Sequence, residues 1–286
     1  MNNRINLRED RDFSEKLNAT FIFVRQNFKS LGLTLLLLGL PLMVIGMIFM
    51  QSMQMGMQQQ LVDTGTLFSF DYFVNFFISF LLLMFAYLWL AIISISYVAE
   101  YLNDNSNITP GQVFQRAISK LGSVVVAAII TTIMTMIATV FLIIPGIYVG
   151  VAMSFAIIVI IIEGDPTFEA ISRSFSLIKG KWWSTFGLLF VMSFIVGIMQ
   201  FVFNIPTYAV TFARALHQDF FTFDAINIVT TIFSTIGLTL LYPLIFIALT
   251  FQYFNLVELK ENAGLKHEID QAGKQSTNSP GNEGEY

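Results

Sequence analysis

Six stretches of this chain hold no Asp, Glu, Lys, Arg or His and have the length of a bilayer crossing: residues 31–50, 74–98, 123–144, 147–162, 184–203 and 228–253. A hydrocarbon core of about 30 Å needs roughly 20 apolar residues at helical rise. The fourth stretch is the shortest. In lipid each backbone polar group must be satisfied within its own segment or a closed barrel. The runs are continuous rather than alternating, so helices are required. The expected fold class is therefore all-α: a polytopic membrane protein of six transmembrane helices. Composition agrees, since only 12% of the 286 residues are charged, against about 25% in soluble domains.

Basic residues set the expected orientation. Six lie before the first span: Arg4, Arg8, Arg11, Lys16, Arg25 and Lys29. Arg116 and Lys120 lie in the second loop, and Arg173, Lys179 and Lys181 in the fourth. Lys260, Lys266 and Lys274 lie after the last span. These are 14 of the 15 Lys and Arg, and only Arg214 falls on the other side. Both termini are expected in the cytoplasm. The first 30 residues are charged throughout, which argues against a cleavable signal peptide.

Much chemistry is excluded. There is no cysteine, so thiolate nucleophiles, disulfides and Cys metal sites are absent. The two histidines, His217 and His267, are too far apart in sequence for a metal-ligand spacing. No nucleotide loop, nucleophile–base set or metalloprotease motif is present. Ion-coupled carriers usually need ionisable groups inside their spans, and these spans have none. No catalytic residue, cofactor or metal is assigned, an enzyme is not expected, and nucleic acid is not a partner.

The layout reads as a threefold internal repeat, each unit an amphipathic helix followed by a transmembrane hairpin. The amphipathic stretches carry Phe13, Leu17, Phe21, Val24 and Phe28; then Phe114, Ala117, Ile118 and Leu121; then Phe168, Ile171, Phe175 and Ile178. Spacings of three and four give each helix one apolar stripe. Glu100, Glu163 and Glu258 close the three units. The second and third stretches share Ala-Ile-Ser and a base, ending at Lys120 and Arg173. Domain bounds follow: a cytoplasmic segment 1–30, a six-helix domain 31–258, and a tail 259–286 without structure from about Gln271.

Residues 163–183 are the most patterned polar stretch. Asp165 suits an N-cap and Pro166 a first helical position. Glu169 and Arg173 are spaced as an i,i+4 ion pair. Gly180 suits a left-handed helix stop, and Lys179 and Lys181 suit an anionic lipid surface. Trp182 and Trp183 fall where the chain returns to the bilayer. A flat interfacial helix accounts for every position. A functional Glu163–Arg173 pair, binding a lipid headgroup or answering a partner, is the sharper alternative.

Pro145-Gly146, Glu163, Ala170, Arg173-Ser174, Leu177, Lys179-Gly180 and Trp182-Trp183 resemble a pattern of bacterial six-helix inner-membrane proteins related to the membrane domain of glycerophosphodiester phosphodiesterases. The motif covers about 40 residues. The resemblance implies a bacterial inner-membrane module without the soluble enzyme barrel, for which this chain has no room.

Three further features have structural readings. The Met-rich residues 50–60 could bind Cu(I) through thioethers, yet they also continue the first span's helical stripe. The external residues 206–221 read as an interfacial helix. Gly146, Gly150 and Ser154 form a small-residue stripe facing Ala128, Thr132, Thr135 and Thr139, and the pair is expected to turn tightly at Pro145-Gly146. The expected role is a scaffold or subunit contacting the lipid bilayer and an unidentified membrane or cytoplasmic protein. The alternative is a transporter or flippase for an amphipathic molecule.

Overall fold

The computed structural model describes residues 5–65, 70–103, 107–216 and 224–277. Helices follow one another throughout: α1 Phe13–Leu38, α2 Leu40–Thr64, α3 Phe70–Leu102, α4 Pro110–Phe141, α5 Ile143–Met153, α6 Ala156–Ile162, α7 Thr167–Ile178, α8 Trp182–Ala215, α9 Asp224–Leu241 and α10 Pro243–Thr277. Six helical stretches are long and apolar enough to cross a membrane. No strand occurs among the described residues. His217 and residues 278–286 lie outside them.

The apolar runs are not uninterrupted rods. The first crosses a kink at Gly39, where Pro41 lies in the first turn of α2. Proline has no N–H to give the preceding turn and crowds its carbonyl. Gly39 itself stays in the α region and bonds to the Leu35 carbonyl at 2.8 Å. The carbonyl of Leu38 accepts the Trp89 indole N–H at 2.9 Å, so a neighbouring helix contributes a donor at the kink. Pro243 marks a second kink, at Tyr242. A third, at Ser154–Phe155, has no proline. There the Ser154 hydroxyl and amide both turn back onto the Val151 carbonyl, which tightens the turn.

The turn between α4 and α5 corrects the sequence expectation. A single extended residue, Leu142 (φ −162, ψ 143), reverses the chain. Pro145 and Gly146 therefore lie in the first turn of α5, not between helices. First-turn N–H groups have no intrahelical acceptor, so proline costs nothing there. Gly146 serves packing: a Cβ on it would lie 2.0 Å from Thr139 Oγ1 and 3.0 Å from Thr139 Cα.

Burial is concentrated towards one end of the bundle. On α3, Trp89 to Tyr101 are buried, while Phe70, Phe73 and Phe77 are exposed. The same end holds the buried parts of α1 (Phe23, Leu31, Leu35), α6 (Ile158, Val159, Ile160) and α10 (Ile247, Phe251, Phe254). At the opposite end, around the α4–α5 turn, Val140 to Ile144 are exposed. α10 runs on to Thr277, so helix covers the first seven residues of the stretch expected to lack structure from Gln271. Ala272, Lys274 and two glutamines, all good helix formers, lie there.

Candidate functional site

The patterned stretch folds as α7, but its start and its charge pairing differ from the sequence reading. Pro166 is the N-cap residue, in extended conformation, and Thr167 is the first helical residue. Asp165 lies one position too early to cap. Thr167 Oγ1 instead ties the helix start to α4, donating to the Ser123 carbonyl at 3.1 Å. Gly164 and Gly180 bracket the helix with positive φ, 86° and 80°. The Gly180 stop was expected; the turn at Gly164 was not.

Arg173 does not pair along its own helix with Glu169. Its Nε lies 3.3 Å from Glu163 at the end of α6, and its Nη2 bonds Glu261 of α10. The Tyr253 hydroxyl donates to the same Glu163 carboxylate. The Arg173 and Glu163 side chains are 30% and 24% exposed, so the pair is partly screened. Burial pulls the Arg173 guanidinium down, but the bond to Glu261 and the charges of Glu163 and Glu261 outweigh it, and its pKa lies above the ordinary arginine value. One turn further on, Lys260 Nζ reaches the carbonyls of Ser176 and Lys179. These are end-of-helix acceptors with no intrahelical donor. Burial, then Arg173 and Lys179, push Lys260 below the usual lysine value.

The remaining motif residues face α5. Ser174 Oγ donates at 2.6 Å to the carbonyl of Ala152, just before the kink between α5 and α6. Trp182 Nε1 donates at 3.1 Å to the Tyr148 carbonyl, and the two rings stack at 5.5 Å. Trp183 is 77% exposed. Glu163, Arg173, Ser174, Lys179 and Trp182 thus form one clasp joining α5, α6, α7, α8 and α10. Pro145 and Gly146 belong to the far end of α5 and take no part in it. Tyr253, Lys260 and Glu261 were not singled out by the sequence. Their only signal was position, at or just past the end of the last apolar run.

The amphipathic helices bury only part of their expected apolar stripes and leave several of the largest residues exposed. On α7 the buried residues are Ala170, Ile171, Ser174, Leu177 and Ile178, while Phe168 is 75% exposed. On α4 Val113 and Ala117 are buried, and Phe114 and Ile118 are exposed. On α1 Ala19, Thr20 and Phe23 are buried, and Phe13, Phe21 and Phe28 are exposed. The unit-closing Glu100 likewise pairs with Arg116, at 2.5 Å. Arg116 sits one turn before Lys120, the base that the Ala-Ile-Ser match selected.

Polar side chains elsewhere are used between helices. Gln252, fully buried on α10, donates to Thr185 of α8 at 3.1 Å. Gln200 of α8 donates to the Ser234 carbonyl of α9 at 3.0 Å. A cavity of about 320 Å³ opens between α2 and α3, lined by Ser52, Met53, Tyr72, Asn75 and Ser79 among others.

A chain without strands among its described residues, with six helical stretches fit to cross a membrane and clasped by charged residues just past the ends of its apolar runs, has the build of a multi-pass membrane protein. The chain belongs to the DUF7847 family, described as a domain of unknown function, whose model matches residues 30–255. No curated protein and no solved structure matches it. The family match carries no activity and does not bear on the resemblance to glycerophosphodiester phosphodiesterase membrane domains.

Proposed function

We propose that this protein is a scaffold or subunit of a bacterial inner membrane, built as three helical hairpins with both termini in the cytoplasm. A collar of interfacial helices would contact lipid and a protein partner. This reading gives the chain no catalytic role.

One observation carries it. The collar helices are held to the bundle by polar bonds and by a buried face, yet several of their large apolar side chains stay exposed. Ser174, Arg173 and Lys260 hold α7; Phe168 and Trp183 face outward. Large exposed apolar groups beside Lys179 and Lys181 suit the boundary between acyl chains and anionic headgroups. A rigidly held collar also presents the same surface to every partner, which lowers the ordering cost of docking.

The transporter or flippase reading draws on the cavity at Ser52, Tyr72, Asn75 and Ser79. Further along α3, however, Leu90, Ile92 and Ile93 pack fully buried in one apolar cluster with Phe155, Ile158 and Val159. That layer favours the scaffold. Crosslinking in native membranes followed by purification tests it. The expected result is a partner recovered in fixed ratio. A chain that always comes out alone overturns the reading.

A further inference from the structure

We propose that a second site, the notch between the end of α3 and the start of α4, binds the phosphate ester of an anionic phospholipid. This rests on the reading above only in placing that edge at the membrane surface. The notch holds about 430 Å³ and is lined by Glu100, Gln112, Gln115, Arg116, Ser119 and Lys120. All six side chains are polar. The five from α4 share one helix face, at spacings of three, four, seven and eight from Gln112.

The charges favour an anion. Glu100 and Arg116 neutralise each other at 2.5 Å. Lys120 remains, and among the described residues it forms no ion pair. Gln112 accepts from Thr109 through Oε1, so its amide hydrogens are left to donate. Gln115 brings a second amide. Gly164 lies beside Lys120: a Cβ there would lie 3.5 Å from Lys120 Nζ, and its φ of 86° disfavours any side chain. An ammonium with amide donors around it is the donor set for a phosphate oxygen.

The neighbouring edge of α4 selects a lipid as the source. Phe114, Ile118, Ile129 and Met136 are all exposed, and their spacings of four, eleven and seven place them on one stripe. That stripe runs from the notch along the apolar part of α4. A headgroup held at Lys120 would leave an acyl chain free to follow it. A soluble phosphate would use none of it.

The test titrates the full chain, purified in neutral detergent, with dioleoylphosphatidylglycerol, with dioleoylphosphatidylcholine and with glycerol 3-phosphate. Phosphatidylglycerol should bind several-fold tighter than phosphatidylcholine. Lys120→Gln should weaken phosphatidylglycerol by about tenfold, the loss of one charge-assisted hydrogen bond. Lys120→Arg should retain most of the affinity. Arg25→Gln, the same change of charge at an exposed site on α1, should have no effect. Unchanged binding by Lys120→Gln, or an equal loss in Arg25→Gln, overturns the site. Displacement of the lipid by glycerol 3-phosphate at equal concentration overturns the lipid as source and assigns the notch to a soluble ester. Neither result depends on finding a protein partner, so the two readings fail separately.

Discussion

Gly146 and Gly150 lie one turn apart on α5 and face the same helix, yet the structure assigns them opposite responses to alanine. At Gly150 an added Cβ would meet Thr135 Cγ2 at 3.7 Å, an ordinary contact. At Gly146 it would meet Thr139 Oγ1 at 2.0 Å, Cβ at 2.9 Å and Cα at 3.0 Å. The Oγ1 clash could be relieved by rotation, at the cost of its 2.7 Å bond to the Thr135 carbonyl. The Cα clash cannot, so α4 and α5 must separate. Forcing a methyl into a packed contact costs about 1–3 kcal/mol. Replacing glycine in a helix returns up to about 1 kcal/mol, and this largely cancels between the two positions. Gly150→Ala should therefore be neutral or stabilising, and Gly146→Ala less stable than it by roughly 1–3 kcal/mol. On the scale of soluble domains this is about 2–4 °C of melting temperature per kcal/mol. Thermal unfolding of both variants in one detergent reads the difference. Thr139→Ala in the Gly146→Ala background should recover only part of the loss, since Cβ and Cα stay in place. Equal melting of the two glycine variants would refute the close approach.

Three further outcomes are expected. Arg173→Gln should speed hydrogen exchange along α7, corresponding to about 1–2 kcal/mol, because it leaves the Glu163 carboxylate with Tyr253 alone; Glu261→Gln, at a side chain 55% exposed, should cost about 0.5 kcal/mol or less. The Asp12 carboxyl, which accepts from the Glu15 N–H at 2.8 Å, is held below its ordinary 3.8 by that bond. Its capping contribution is therefore full above pH 3.8 and lost as pH falls through the lower folded value, so exchange at the first turn of α1 should rise there in the wild type and not in Asp12→Ala. Gly180→Ala, at φ 80, should lower stability by about 1–2 kcal/mol through left-handed strain, measured by thermal unfolding.

How much of this was legible beforehand depended on whether a feature was local. The later ends of the second and fourth apolar stretches were set within a few residues, at Leu102 and Ile162, by the return of charge. The left-handed stop at Gly180 and the facing of Gly146 and Gly150 toward Thr139 and Thr135 were also legible, since each follows from one residue type at one spacing. The kinks at Gly39, Ser154 and Tyr242 were not. Pro41 and Pro243 were visible as proline, but hydropathy counts them inside an apolar run. Whether such a kink is tolerated depends on a donor from elsewhere, such as Trp89 to the Leu38 carbonyl. Pro145 misled in the opposite sense, because the residue that turns the chain is Leu142, which has no turn propensity.

The exposed phenylalanines of the collar helices have a single physical cause. In water an apolar stripe has one refuge, the core, so its direction identifies the packed face. Beside a bilayer it has two, and lipid is as apolar as a protein interior. Phe168, Phe114 and Phe28 therefore report only that water is avoided. The packed face carries small residues that allow close approach, Ala170 and Ser174 on α7, Ala19 and Thr20 on α1 and Ala117 on α4, beside buried Phe23, Ile171, Leu177 and Ile178, and Ser174 completes a bond to a neighbouring helix. The same logic separates Arg173 from Glu169. An exposed i,i+4 pair is worth a few tenths of a kcal/mol, whereas Glu163 and Glu261 offer carboxylates on two other helices, one of them only 24% exposed. A guanidinium with five donors gains more by bridging α6 and α10 than by bonding its own turn. The base in the motif is thus explained by helices brought together across 88 residues of chain, a distance over which no local pattern speaks.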